Sequence, residues 1–522
     1  MFWVAVIFIV SFCSLFYEVA LAQTLSIIFG DTVTQYSITI GLYLFFLGMG
    51  SFLSERHKKS KTTLAWVEIL LAFLSITGVL VLLYYQGDIT RLKLVDMHIS
   101  RGWYYFVSVI VYLPVAIIGL LSGMEIPLLE RASKLKIANV LGVDYIGSLV
   151  AAVSFPLLLL PYLGLLKSVL LASSLNAIVA AILIWKRRTL ALCVGVLIVF
   201  VFLGGLWANT DSIQQSLDMA FVTSTVHSNQ STKWTITHSM NTPYQKIIIG
   251  EQSWSTAEGE HVNHFMTLDG EVQYDTRFER QYHEAFVHPL LCRIRNISRV
   301  LVVGGGDGML IRELIKYDTV QRIDHIDIDK KLVGLFKTDP ILLQLNDRAL
   351  LDPRVNTMYA DGLAYLRTSA TKYDVVFFDL PSPVQEKVAR FHTKEVSHLV
   401  FQNLKPRGFF ITHTSPNHAK HQAPSLRAGG FRHVVNYRQG FVEYLIATSY
   451  TLQRSDVSPI SLCAGMTQAF LPSTMYNTFA NNTIQLEEGV AYSIYQPNPT
   501  LIRSGYGMYI EKPKLVDNPL MA

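Results

Sequence analysis

Residues Val300–Gly308 read VLVVGGGDG: four apolar residues, then three glycines, an aspartate and a fourth glycine. Val300, Leu301, Val302 and Val303 make a buried strand, since a short continuous apolar run suits a strand covered on both faces. The glycines let the backbone turn sharply and approach a ligand closely. Met309–Tyr317 (MLIRELIKY) then reads as a helix. Strand, glycine-rich turn and helix, in that order, is how an open α/β sheet builds a nucleotide site at the carboxyl edge of its strands. The turn also discriminates between ligands. Its spacing is not GxGxxG, because position 309 is Met, and it lacks the Lys-Ser/Thr of a phosphate loop. No basic residue lies in it to meet a pyrophosphate.

Outward from this turn the pattern alternates. Strands are predicted at Arg299–Val303, Arg322–Ile328, Arg354–Tyr359, Tyr373–Asp379 and Gly408–Thr414, with helices at Met309–Tyr317, Lys330–Phe336, Gly362–Thr368 and Thr393–Leu404. Such alternation predicts a parallel, doubly wound sheet. Phe431–Tyr437 and Val442–Thr448 add an antiparallel end. Upstream, Tyr244–Ile249 and His264–Leu268 read as strands, Asp269-Gly270 as a turn before Glu271–Tyr274, and Phe278–Leu291 as a helix.

Four aspartates fall at or just after consecutive predicted strands: Asp307, Asp327 (IDHIDID), Asp361 (VNTMYADG) and Asp379 (YDVVFFD). Ligands of such sheets bind outside the carboxyl ends of the strands. An acid ending the second strand is placed for a ribose diol, and one after the third for an adenine amino group. Each acid alone could equally cap a helix; four in register predict an anionic pocket. Such a pocket suits a cationic nucleoside, and a sulfonium such as S-adenosylmethionine or its decarboxylated form fits best.

The first two-fifths of the chain is different. Seven apolar stretches approach or exceed the length that crosses about 30 Å of hydrocarbon: Phe2–Phe29, Tyr36–Leu53, Leu64–Tyr85, Trp103–Leu128, Val140–Leu160, Leu165–Trp185 and Leu190–Trp207. The first outruns a signal peptide and lacks a basic leader, so a cleaved signal is not expected. Arg56, Lys58, Lys59 and Lys61, then Arg131, Lys134 and Lys136, then Lys186, Arg187 and Arg188 mark alternate loops as cytoplasmic. Seven spans then put the following domain outside, whereas a donor made in the cytoplasm puts it inside. Glu18, Glu125, Asp144 and Asn176 fall at or near membrane depth. They line a polar route between helices or, at span ends, reach the headgroups.

The chain has 522 residues, a net charge of +5 and a mean hydropathy of +0.32, too apolar for an ordinary soluble enzyme. The small, dispersed charge does not suggest nucleic acid. Cys13, Cys193, Cys292 and Cys463 show neither a disulfide framework nor zinc spacing, and no metal site is expected. The expected organisation is an α-helical multi-span membrane domain (1–208, about seven helices), a connector (209–238), a small β-rich subdomain (239–292), an α/β Rossmann-like doubly wound domain (293–450) and a C-terminal extension (451–522).

The region from Tyr244 to Thr448 resembles the polyamine aminopropyltransferases, the spermidine synthase family. The resemblance rests on YQKI (244–247), LDGEVQYDTRFERQYHE (268–284), VLVVGGGDG (300–308), DID (327–329), DPRVNTMYADG (352–362) and YDVVFFDLPSP (373–383), in that order. With LFYEVALAQTLSIIFG (15–30) in the first span, the whole chain resembles the membrane-embedded branch of that family. The resemblance implies an S-adenosylmethionine-methyltransferase-like fold and transfer of an aminopropyl group from decarboxylated S-adenosylmethionine, a co-substrate rather than a bound cofactor, to a polyamine such as putrescine. Gln245, Gly304, Gly306, Asp307, Asp327, Asp361 and Gly362 would bind the sulfonium nucleoside. Asp379 would take the proton of the amine. Tyr282, His283, Asp307 and Ser382 would line the amine site. A lipid bilayer and a homodimer complete the implied partners. The chain departs from the family at Asp327, usually Glu, at Met309, usually Gly, and at Ser382, usually a second acid that helps hold the amine. A methyltransferase using ordinary S-adenosylmethionine, and a transporter or sensor that binds polyamine or nucleoside without turnover, stay open as alternatives.

Overall fold

The computed structural model describes residues 1–29, 32–57, 60–89, 109–185, 189–225, 232–256, 259–292, 294, 296–381, 386–414, 416–439 and 442–450. The chain divides into two compact units between Val262 and Asn263, within the stretch expected as the small β-rich subdomain.

The first unit is mainly helical: α1 (Phe2–Phe29), α2 (Thr32–Ser54), α3 (Ser60–Tyr84), α4 (Leu113–Ser133), α5 (Ile137–Ser154), α6 (Leu160–Ile184), α7 (Leu190–Ala208) and α8 (Thr210–Thr225). Six of its helices are long and apolar enough to cross a membrane, counting Ile137–Ile184 as one helix of 48 residues. That helix is not straight. A five-residue π-turn, Phe155–Leu159, joins α5 to α6, and Gly164 sits at φ 74°, ψ 172°. Ser168 Oγ donates to Leu159 O, nine residues back, at 3.0 Å. In a straight helix these atoms would be roughly 13 Å apart, so the helix is broken here and α5 and α6 are separate segments. Only glycine takes this backbone conformation without strain. The bundle packs through an apolar core that includes Phe16, Leu71, Leu128 and Val169, all fully buried.

The stretch 209–238, expected as a connector, instead forms α8 and the start of β1 (Lys233–Asn241), which pairs antiparallel with β2 (Lys246–Thr256). Its Ser, Thr, Gln and Asp content hides the helix, which is held by buried Leu217, Phe221 and Val222 and by Asp218. The two Asp218 oxygens accept from Lys246 Nζ and from Ser239 Oγ, each at 2.5 Å.

β3 (Gly259–Leu268) spans the boundary and pairs antiparallel with β4 (Glu271–Asp275); the second unit continues with α9 (Glu279–Leu291) and a seven-stranded sheet. Its strands are β5 (Arg299–Gly304), β6 (Arg322–Asp327), β7 (Val355–Tyr359), β8 (Tyr373–Asp379), β9 (Leu404–Thr414), β10 (His433–Gln439) and β11 (Val442–Thr448), in the spatial order β10-β11-β9-β8-β5-β6-β7. β5 to β9 pair in parallel, and β11 runs antiparallel to both β9 and β10. Val300–Val303 are at most 2% exposed, as a central parallel strand covered on both faces requires. From β5 the chain moves outward through β6 and β7, then returns to the other side of β5 as β8. The β5–β8 boundary is therefore the topological switch point, where such sheets bind ligands.

The intervening helices are α10 (Met309–Leu314), α11 (Lys330–Thr338), α12 (Pro340–Leu345), α13 (Gly362–Thr368), α14 (Glu386–Ala389), α15 (Lys394–Asn403) and α16 (Pro416–Ala428). α12, α14 and α16 were not anticipated. α16 contains Pro424 and reads as polar, yet Ala419, Ala423 and Leu426 form a buried stripe at helical spacing. Cys13 and Cys193 are free thiols.

Candidate active site

The switch point is closed by backbone contact. Gly304, the last residue of β5, pairs in register with Asp379, the last residue of β8. Gly305 N donates to Asp379 O at 2.8 Å. Gly304 and Gly305 have φ of 81° and 65°, and a Cβ on Gly304 would land on the Asp379 carbonyl. A Cβ on Gly306 would meet Asp327 Oδ2 at 2.7 Å. The glycines thus bring the turn against two of the expected acids.

Four of the expected site residues converge. A ring nitrogen of His283 and carboxylate oxygens of Asp307 and Asp379 all lie within 4.8 Å of one another. The Tyr282 hydroxyl donates to Asp379 Oδ1 at 3.1 Å. Asp307 is held by its neighbours: its Oδ1 accepts from Met309 N at 2.9 Å, and its backbone carbonyl accepts from Asn346 Nδ2 at 2.9 Å. Met309 itself is fully buried. Asp327 Oδ1 accepts from Asp329 N at 2.7 Å, while Asp329 caps α11.

The pocket is electrostatically loaded. Burial pushes the Asp379 carboxyl up to about 6, with the charge of Asp307 adding and His283 and the Tyr282 hydroxyl opposing. Burial pushes Asp327 up to about 7, against the Asp329 N–H and with the charges of Asp329, Asp307 and Asp379. Asp307 also rises through burial, which outweighs His283 and the Met309 N–H. His283 moves the other way for a cation: burial disfavours its charge, but Glu279, Asp307 and Asp379 together raise its pKa above the ordinary value.

α9 presents Tyr282 and His283 because its other side is anchored. His283 Nδ1 lies 2.8 Å from Glu279 O and 3.2 Å from Glu279 Oε2. Glu279 meets Arg312 of α10 through two bonds, of 3.1 and 2.9 Å. Arg312 Nε donates to Glu313 Oε1 at 2.8 Å, and Glu313 Oε2 lies 2.9 Å from His288 Nε2. The Arg312, Glu279 and Glu313 side chains are at most 3% exposed. The terminal strands hold α9 as well: Tyr444 Oη donates to Tyr282 O at 2.9 Å and Tyr437 Oη to Ala285 O at 2.6 Å. Sequence reading passed over this network because charges on short helices look solvated. The i,i+4 pair Glu279–His283 was its one visible sign.

Two further histidines were missed. His325 Nε2 lies 3.0 Å from Gly304 O, and burial lowers its pKa to about 4. It sits two residues before Asp327, on the strand beside the turn. His413 of β9 has Nε2 at 2.9 Å from Leu380 O and 3.9 Å from Asp379 Oδ1, and burial lowers it, too, to about 4.

The remaining expected residues are placed differently. Asp361 caps α13: its Oδ1 accepts from Leu363 N at 2.8 Å and Ala364 N at 3.0 Å, and its Oδ2 from Arg390 Nη2 at 2.5 Å. Burial pushes its carboxyl up, but these donors hold it below the usual carboxylate range. Gly362 packs on β5, where a Cβ would meet Val303 Cγ1 at 2.5 Å. Gln245 lies in the first unit, where its N–H donates to Thr242 Oγ1 at 3.1 Å in the turn before β2. Ser382 lies outside the described residues.

A doubly wound sheet with a glycine-rich turn and buried acids at its switch point defines a Rossmann-like α/β domain of the methyltransferase-like class. The profile of the spermine/spermidine synthase domain matches residues 279–433, which hold all of these acids. The chain belongs to the polyamine aminopropyltransferase family. The polyamine aminopropyltransferase of Oceanobacillus iheyensis is 30% identical to it over 427 residues, 79% of this chain and 77% of that protein. Polyamine aminopropyltransferase 1 of Streptomyces coelicolor is 31% identical over 421 residues, covering 77% and 73%. The polyamine aminopropyltransferase of Leptospira interrogans is 31% identical over 425 residues, covering 79% of each. Among solved structures, a spermidine synthase in complex with the transition state analogue AdoDATO aligns over 47% of this chain and 85% of its own, at 23% identity and a TM-score of 0.41.

Proposed function

We propose that the chain transfers the aminopropyl group of decarboxylated S-adenosylmethionine to a primary amine such as putrescine, giving spermidine and methylthioadenosine. The observation that carries this reading is the Asp307–Asp379–His283 cluster, with Tyr282 on Asp379, at the switch point. Two buried carboxylates there suit two cationic substrates.

In this reading Asp327, beside Gly306, accepts from the ribose hydroxyls, and Gly304–Gly306 let the nucleoside lie close to the backbone. Asp307 holds the ammonium end of the aminopropyl group. That role favours a donor without a carboxylate over ordinary S-adenosylmethionine. Asp361 and Gly362 would complete the nucleoside contacts, with Asp361 exchanging Arg390 for the adenine amino group. Tyr282 and His283 line the amine.

The acceptor amine has a pKa of about 10.4 in water and must lose a proton before it attacks. Asp379 is the base. Burial raises its carboxyl pKa in the free protein, and a more basic carboxylate is a better proton acceptor. The nitrogen lone pair then forms a bond to the CH2 next to the sulfonium, the C–S bond breaks, and its electron pair stays on sulfur. A cationic sulfonium becomes a neutral thioether, and the new secondary amine carries the charge. Positioning of the two substrates supplies much of the rate.

We further propose that the helical unit sits in a lipid bilayer, a reading supported by its six long apolar helices. Purified full-length protein, incubated with decarboxylated donor and putrescine, should release methylthioadenosine. Release no greater than that of an Asp379→Asn control, with donor binding intact, would sink the transfer reading. Membrane fractionation checks the second proposal.

A further inference from the structure

The core of the helical unit contains polar groups that the transfer reaction does not use. Glu68 of α3 has no exposed surface, and neither of its carboxylate oxygens has a hydrogen-bond partner among the described residues. Asn176 of α6 is equally buried, with both amide atoms unpartnered. So are the Tyr17 hydroxyl of α1, 1% exposed, and Oε1 of Glu125 on α4, 2% exposed.

α3 and α6 meet through polar side chains on the faces that carry Glu68 and Asn176. Ser75 Oγ of α3 and Ser173 Oγ of α6 are 3.0 Å apart. Glu68 lies seven residues before Ser75, and Asn176 three after Ser173, so each shares a face with its serine. The Tyr17 hydroxyl lies beside both serines and within electrostatic reach of Glu68. Glu68 and Glu125 are within reach of each other. Cys13, one turn before Tyr17, donates to Ala172 O at 3.5 Å and fixes α1 against α6.

Buried polar groups are normally paired, and an unpaired one costs several kcal/mol in an apolar interior. Ionisable residues at this depth mark sites by default. The missing element is a cation that brings its own donors. Calcium and magnesium take six or more oxygens, whereas an alkylammonium offers three N–H donors and needs only a few acceptors.

We propose that Glu68 and Glu125, with Asn176 and Tyr17, form a binding site for a primary alkylammonium ion of the polyamine class inside the helical unit, separate from the site at the switch point. The site does not depend on the transfer reaction.

The test is equilibrium binding of labelled putrescine to the full-length chain in lipid nanodiscs. The Glu68→Gln, Glu125→Gln double substitution should remove one equivalent of bound putrescine per chain. Methylthioadenosine release should stay within about twofold of wild type. Asn176→Leu, which leaves both acids in place, should weaken that equivalent at least tenfold and guards against a misfolded double variant. Retention of the full equivalent in both variants would overturn the proposal. So would its removal by Asp379→Asn, or its displacement by sodium ions at equal concentration. If the wild type releases no methylthioadenosine, the transfer reading falls, and loss of an equivalent in the double variant still supports the membrane site.

Discussion

The hydroxyl of Tyr282 points at Asp379 Oδ1 from 3.1 Å and joins the middle of α9 to the end of β8. Among the described residues it is the one neutral donor to a carboxylate otherwise pressed by burial and by Asp307, and it pulls the Asp379 pKa down. Tyr282→Phe keeps the ring packing on Tyr444 and His413 and removes only this bond. A hydrogen bond to a charged group is worth about 1.5–3 kcal/mol. Turnover should fall roughly ten- to a hundredfold, and the acidic limb of the rate profile should move to higher pH. Methylthioadenosine release measured from pH 5 to 9 checks both.

Asp379→Asn removes the proposed base and leaves a group of the same shape. General base catalysis contributes about a hundred- to ten-thousandfold. Turnover should drop by that order with a much smaller loss of donor affinity, read by single-turnover kinetics alongside calorimetric donor titration.

Donor binding should release protons. Asp327 and Asp379 are raised to about 7 and about 6, so in the free protein they are partly protonated near pH 6–7. A cationic sulfonium favours the charged carboxylates and pulls both values down. The sign is therefore release, not uptake, and up to about one proton per donor bound at pH 6.5. Calorimetry in two buffers of different ionisation enthalpy gives the number. Uptake, or no exchange, would exclude these acids from the donor site.

Asp361 separates capping from charge. Asp361→Asn keeps a side chain that caps helices as well as Asp, whereas Asp361→Ala removes the acceptor of Leu363 N and Ala364 N. The Ala variant should be about 1 kcal/mol less stable than the Asn variant. The half-exposed ion pair with Arg390 should add less than about 1 kcal/mol. Urea unfolding of both variants measures the difference.

Arg312→Met cuts the Glu279–Arg312–Glu313 network and leaves two buried carboxylates without their main partner. Breaking a buried pair this way costs about 3–5 kcal/mol. The variant should unfold at markedly lower denaturant and lose the alignment of His283, detected by a shift of its titration in NMR.

What could be seen in the sequence follows from what burial does to composition. VLVVGGGDG announced its strand and turn, because a central parallel strand must be apolar throughout and a turn pressed on Asp379 must be glycine. The four aspartates were visible because strand ends in such a sheet all open to one edge. Asp361 shows the limit: a strand-end acid reads the same whether it serves a ligand, its own helix or both, and here Oδ1 caps α13 while Oδ2 meets Arg390. Arg312 and Glu313 escaped because a six-residue helix is too short to show a periodic face. His325 escaped because it stands among acids on β6 in a stretch that reads as solvated (RIDHID). Glu68 escaped because a single carboxylate near the start of a long apolar run looks like an interfacial residue, and only packing shows that it faces the core.

Asp218 of α8 grips Lys246 and Ser239, the strands that follow the helical bundle. The junction between bundle and strands is therefore no natural cutting point. An expression fragment begun at 239 would strip β2 of β1 as a partner and leave Lys246 with no counter-ion from α8. Anyone dissecting the gene should keep residues 210–256 together with the bundle, and a natural fusion or fission of the two halves would have been constrained in the same way.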